Sequence, residues 1–150
     1  MASIQKKYVG LLGGSFDPAH NGHLGISKIA LKKLKLKKVY WVITKKNPFK
    51  NKTFYSLKER IKFAKKISKT QTKIKLIYLD NLIKSSRIIN IINYFIKKKK
   101  IKNIYLLIGS DNLLRFHKWK SWKKIVKLVK LVVFSRKGYD RKGMKSTVVK

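Results

Sequence analysis

Short runs of β-branched and aromatic residues alternate along this chain with longer runs of helical period, and the first junction between them is rich in glycine. "KYVGLLGG" (Lys7 to Gly14), "KKVYWVIT" (Lys37 to Thr44), "KIKLIYL" (Lys73 to Leu79), "KNIYLLIG" (Lys102 to Gly109) and "KLVVFS" (Lys130 to Ser135) read as strands. Between them lie "HLGISKIALKKL" (His23 to Leu34), "SLKERIKFAKKIS" (Ser56 to Ser68), the segment Ser86 to Lys99 and "WKSWKKIVKL" (Trp119 to Leu128), which read as helices. Ser56 followed by Glu59 predicts a capping box. Ile88, Ile91, Ile92 and Phe95 share the apolar face of the helix that follows. Strands joined by helices predict an α/β fold, with a parallel sheet covered on both faces.

The 150 residues suit one ordinary domain, and a 44% hydrophobic content suffices for its core. Forty basic residues against five acidic ones give a formal charge of +35, which favours polyanionic partners. The lysines are scattered, with one long run at Lys97 to Lys100 and little aromatic interleaving, so a biased composition explains the charge better than a dedicated nucleic-acid surface does. Any binding to nucleic acid is expected to be non-specific. Cysteine is absent, which excludes disulfides, thiol catalysis and cysteine-ligated zinc. No segment approaches the roughly 20 apolar residues of a membrane span, and the N-terminus lacks a signal-peptide core, so a cytoplasmic location is expected.

Five of the eight glycines (Gly10, Gly13, Gly14, Gly22, Gly25) fall within "GLLGGSFDPAHNGHLGISKIALKKLK", together with two of the three histidines (His20, His23) and one of the five acids, Asp17. Strand, glycine turn and helix in that order form an anion site, because free N–H groups and the positive end of the helix dipole face the ligand. The spacing matches neither the dinucleotide G-x-G-x-x-G pattern nor the P-loop. If the helix begins near Asn21, His20 and His23 converge on one side and donate hydrogen bonds to an incoming phosphate. The alternatives are two surface histidines, or a zinc pair for which Asp17 is the only acid nearby.

"GGSFDPAHNGH" resembles the first motif of the HxGH nucleotidyltransferases, and histidine at both ends of H-x-G-H is most similar to the nicotinate-nucleotide adenylyltransferase family. "VYWVITKKNPFK" (Val39 to Lys50) resembles that family's second strand and N-P-x-K loop. "LLIGSDNLLRFHKWKSW" (Leu106 to Trp122) resembles its G-x-D-(N/S)-L…F-x-x-W segment, and "VVFSRKGY" (Val132 to Tyr139) its next strand and R-P-G-Y turn. The likeness is collinear from about Tyr8 to Tyr139.

The resemblance implies a Rossmann-like three-layer fold with a central parallel sheet of about five strands. It also implies transfer of the adenylyl group of ATP to nicotinate mononucleotide, with magnesium accompanying ATP and release of pyrophosphate, a step of NAD biosynthesis. It implies a catalytic pair, His20 and His23, and an ATP and phosphate site at Gly13, Gly14, Ser15, Phe16, Lys50, Gly109 and Asp111. Trp119, Ser86 and Arg136 would bind the mononucleotide, and no protein metal ligand is implied. Lys50 reads equally as a solvated lysine, and Asp111 equally as a helix cap. Trp122 and Phe116 are expected in the core. Ile88 and Ile91 stand where the family commonly carries threonines, which leaves fewer polar groups for the nicotinate carboxylate.

The family's S-S/T-x-I-R segment is not found. "MKST" (Met144 to Thr147) lacks the following Ile-Arg, so the expectation is one nucleotidyltransferase domain over residues 1–150, truncated at its C-terminus. The other functions considered are adenylyl transfer to a different phosphate acceptor, such as phosphopantetheine, and a basic nucleic-acid-binding protein on the same fold.

Overall fold

The computed structural model describes residues 8–45, 53–78 and 87–135. Five strands form one sheet: β1 (Val9–Gly14), β2 (Lys38–Ile43), β3 (Ile74–Ile77), β4 (Ile104–Gly109) and β5 (Lys130–Phe134). All the pairings are parallel, and the order across the sheet is β3-β2-β1-β4-β5. The helices are α1 (Asn21–Lys33), α2 (Leu57–Ser68), α3 (Ile88–Lys97), the short α4 (Ser110–Arg115) and α5 (Trp122–Leu128). The expected three-layer α/β architecture is what the chain adopts.

Side chains alternate across the strands and feed two separate cores. Val9 and Leu11 of β1 and Tyr40 and Val42 of β2 pack with Ile89, Ile91, Ile92, Phe95 and Ile125 from α3 and α5. Leu12, Val39, Trp41 and Ile43 face the other way, against Ala30 of α1 and Ala64 of α2. The chain thus covers one face with the helices that follow β1 and β2, and the other with those around β4. The connections from β1 and β4 diverge between these adjacent strands, which opens a crevice at their carboxyl ends.

Element boundaries differ from the sequence-based expectation where local chemistry intervenes. The predicted helix over Trp119 to Leu128 begins only at Trp122, because Ser121 is left-handed (φ 59°) and Trp119 is extended. The preceding residues instead form α4 and a 3-10 turn, Phe116–Lys118. Ser56 caps α2, its hydroxyl accepting the Glu59 N–H at 3.2 Å. On α3 the buried face includes Ile89 beside Ile91, Ile92 and Phe95, whereas Ile88 is only half-buried. Phe116 is fully buried as expected, and Trp122 packs on the same core.

Two polar tethers run through this packing. Trp41, wholly buried, donates its indole N–H to Ser27 Oγ at 2.8 Å, and Ser27 in turn donates to the His23 carbonyl at 2.8 Å. Arg60 is 1% exposed and lies on the buried side of α2 with Ala64 and Ser68. Its guanidinium donates to the carbonyls of Ser15 (2.7 Å), Thr44 (2.8 Å), Lys45 (2.8 Å) and Tyr55 (3.2 Å). A buried cation is tolerated only when dipoles replace its water, and four carbonyls do so here.

Ser27→Ala leaves the Trp41 N–H without its acceptor in a dry core, so it is expected to lower the unfolding free energy by roughly 1–3 kcal/mol. The check is a lower urea midpoint at unchanged m-value. Arg60→Met strands several carbonyls at once and is expected to cost about 3 kcal/mol or more by the same measurement.

Candidate active site

The carboxyl ends of β1, β2 and β4 border a cavity of about 420 Å³, within the roughly 300–1,000 Å³ typical of small-molecule pockets. Gly13, Gly14 and Ser15 line it from β1 and its loop, Thr44 from the end of β2, and Gly109 from the end of β4. The segment after β1 is folded back on itself. Phe16 has φ 49° and is 2% exposed, and the Asp17–Pro18 peptide bond is cis. The Asp17 carboxylate accepts the N–H groups of Phe54 at 2.5 Å and Tyr55 at 2.8 Å, which ties this loop to the residues leading into α2.

His20 is the N-cap of α1 and His23 occupies its third position. Their rings lie 4.0 Å apart between centroids, at 41°. The Gly22 N–H donates to His20 Nδ1 at 3.0 Å, and the His20 N–H donates to His23 Nδ1 at 3.1 Å, a capping box made of imidazoles. The full reciprocal box therefore sits on α1. Because each Nδ1 accepts a backbone proton, each neutral ring carries its own proton on Nε2. The pair offers two N–H donors side by side, at the positive end of a helix.

The middle glycine of H-x-G-H has a physical reason. A Cβ at Gly22 would lie 2.6 Å from His20 Cε1 and 2.8 Å from its Nδ1, so the ring can cap the helix only over a residue without a side chain. Beneath the pair, Phe16 stacks under His23 (4.5 Å) and on Trp41 (5.3 Å). Phe16, whose backbone is expected to face phosphates, places its ring as the floor on which His23 rests.

Of the remaining sequence-derived candidates, Gly109 is the N-cap of α4, and Asp111 lies half-buried in that helix's first turn, outside the cavity lining. Trp119 lines the cavity and packs on Phe116 at 4.8 Å. Lys50, Ser86 and Arg136 lie outside the described residues. Among the described residues, no three His, Cys, Asp or Glu side chains converge as a metal set. Asp17 already serves two amides rather than completing a zinc site.

Sequence reasoning missed Arg60, although its i, i+4, i+8 spacing with Ala64 and Ser68 marks the buried face of α2. It also missed Arg87, Asn112, Lys118 and Lys120 on the cavity wall. Among the described residues no helix is long and apolar enough to cross a membrane.

Comparison with known proteins agrees with this geometry. Residues 11–150 match the cytidylyltransferase-like family. A probable nicotinate-nucleotide adenylyltransferase of Pelagibacter ubique is 51% identical over 142 residues, covering 95% of this chain and 78% of the relative. One from Bradyrhizobium sp. (strain ORS 278) is 36% identical over 113 residues, covering 75% of this chain and 58% of that relative. Among solved structures, Plasmodium falciparum nicotinic acid mononucleotide adenylyltransferase complexed with NaAD superposes with a TM-score of 0.77. At 18% identity, covering 93% of this chain and 70% of that one, it attests the fold. With the Pelagibacter relative at 51% identity and the family match running from residue 11 to residue 150, the chain belongs to the cytidylyltransferase-like family, among the nicotinate-nucleotide adenylyltransferases.

Proposed function

We propose that this protein transfers the adenylyl group of ATP to the 5′-phosphate of nicotinate mononucleotide, giving nicotinate adenine dinucleotide and pyrophosphate. The observation that carries the reading is the imidazole pair, held 4.0 Å apart at the start of α1 beside the Gly13–Ser15 turn. The attacking group is already an anionic phosphate oxygen, so no side-chain base is required. What the reaction needs is two mutually repelling anions aligned in one crevice, with donors placed where charge builds on the α-phosphate.

In this reading His20 and His23 donate from Nε2 to the α-phosphate oxygens, and the amides of Gly14 and Ser15 approach the same group. Trp119 stacks on the pyridine ring, and the cavity walls exclude water. Gly109 and Asp111 border the nucleotide, and Lys50, Ser86 and Arg136 are proposed to complete the contacts. Magnesium is proposed to arrive with ATP, held mainly by phosphate oxygens, since the described residues offer no cage for it. When bound it neutralises part of the triphosphate charge. The names of the relatives and the complex with NaAD support this choice of substrate.

Magnesium-ATP with nicotinate mononucleotide is expected to yield pyrophosphate, and His23→Ala is expected to lower kcat by about 10²–10³-fold, as loss of a transition-state donor does. No turnover with this acceptor, but turnover with phosphopantetheine, would overturn the reading. Steeply salt-dependent binding to unrelated nucleic acids without any turnover would favour a binding protein instead. Gly22→Ala pushes the His20 ring aside. It is expected to reduce kcat about tenfold or more while Tm changes little, measured by kinetics and thermal melts of the same preparation.

A further inference from the structure

Among the described residues, β1 is paired on one side alone past Leu11. It runs beside β2 as far as Gly14↔Ile43 but beside β4 only as far as Leu11↔Leu106, although β4 itself continues to Gly109. The backbone entering the glycine turn therefore has a ladder on its β2 side and the cavity on its β4 side. The sense of its peptide planes in that gap decides whether the crevice is offered N–H groups or carbonyls. Only the first attracts a phosphate.

Two side chains settle that sense. The Gly14 carbonyl is held on the β2 side by Thr44, through its N–H at 2.9 Å and its hydroxyl at 3.2 Å. A trans peptide is planar with N–H opposed to C=O, so the Ser15 N–H of the same unit points to the β4 side. The Ser15 carbonyl is taken by Arg60, whose Nη1 donates to it at 2.7 Å and to the Thr44 carbonyl at 2.8 Å. By the same planarity the Phe16 N–H turns away from α2. Among the described residues neither N–H donates to a backbone carbonyl. Glycine at position 14 leaves the following peptide free to take either sense. A Cβ there would meet nothing nearer than 3.8 Å, so the space above it stays open to the cavity. The orientation is imposed from outside the turn.

We propose that Arg60, assisted by Thr44, is a positioning residue for the reaction: it fixes the two peptide planes between Gly14 and Phe16 so that the Ser15 and Phe16 N–H groups face the phosphate held by the imidazoles. This inference rests on the proposed adenylyl transfer. Arg60 is 1% exposed and outside the cavity lining, so it acts through the backbone. Donors already aimed at the developing charge need no reorganisation during the reaction, whereas a peptide that must first turn costs rate. A guanidinium holds several carbonyls at fixed angles, which a lysine ammonium does not reproduce.

The test uses the full chain and its Arg60→Lys, Arg60→Met and Thr44→Val variants, each melted first so that assays run well below its Tm. Magnesium-ATP and nicotinate mononucleotide give kcat and KM. Protein labelled with nitrogen-15 serine is titrated with inorganic pyrophosphate, the Ser15 amide signal being identified by its loss in Ser15→Ala. In the unaltered chain that signal is expected to move downfield until the anion saturates. Arg60→Lys is expected to lose most of the movement and to lower kcat about tenfold or more, with KM changed less than about threefold. Arg60→Met is expected to fall further, so that lysine recovers part of the rate, and Thr44→Val to lose about threefold. Should Arg60→Met fail to fold, the other two variants decide. A lower Tm with kcat and the Ser15 movement intact, as a purely structural arginine would give, overturns the inference and leaves the adenylyl-transfer reading standing. A loss of kcat without change at Ser15 does the same. Absence of turnover in the unaltered chain overturns the reading, and loss of the Ser15 movement in Arg60→Lys then still upholds the role of Arg60 in the turn. A Ser15 amide indifferent to pyrophosphate in the unaltered chain overturns the inference in either case.

Discussion

A single guanidinium sits where three loops of the crevice meet. Arg60 reaches from the buried side of α2 to the carbonyl after the glycine turn, to two carbonyls at the end of β2, and to one in the approach to α2 itself. Carbonyls at the ends of parallel strands have lost their sheet partners and point the same way, so a buried cation there satisfies several acceptors at once. The Asp17 carboxylate performs the converse task on two N–H groups of the same approach segment. Cation and anion never need to meet, because each is matched to backbone dipoles of opposite sense. The loop that holds the histidines is thereby braced from below and from the side.

Rigidity of that loop matters because the proposed catalysis is positional. The imidazoles rest on Phe16, Phe16 rests on Trp41, and Trp41 is tied through Ser27 to the carbonyl of His23. The stack runs from the middle of β2 to the start of α1. Phe16 accepts a left-handed backbone conformation within it, a local strain that surrounding contacts must hold in place.

Much of this was legible in the sequence, for identifiable reasons. The apolar runs of β1, β2 and β4 are continuous because both faces of the sheet are covered, and the glycine and histidine cluster stands out against a lysine-rich background. His20 and His23 could be brought together from their spacing alone. The capping chemistry was harder to see. Ser56 and Glu59 have the residue types of a reciprocal box, yet the box forms between two imidazoles, which depends on Gly22 leaving room for a ring. The helix predicted across Trp119 fails at Ser121, whose left-handed φ no propensity of serine announces. Arg60 was passed over because a cation among lysines reads as solvated. Its place in register with Ala64 and Ser68, on the face of α2 turned to the sheet, is what distinguishes it.

The two cores on opposite faces of the sheet have unequal responsibilities. The core beneath α1 and α2 ends in Trp41 and Phe16, directly under the imidazoles, whereas the core beneath α3 and α5 ends in Ile88 and Trp119 at the cavity wall. In the proposed reaction, a methyl group lost from the first would disturb the imidazoles assigned to the chemical step, and one lost from the second would disturb the wall assigned to the acceptor. Hydrophobic substitutions far from any ligand therefore leave different kinetic signatures according to which side of one β-sheet they occupy.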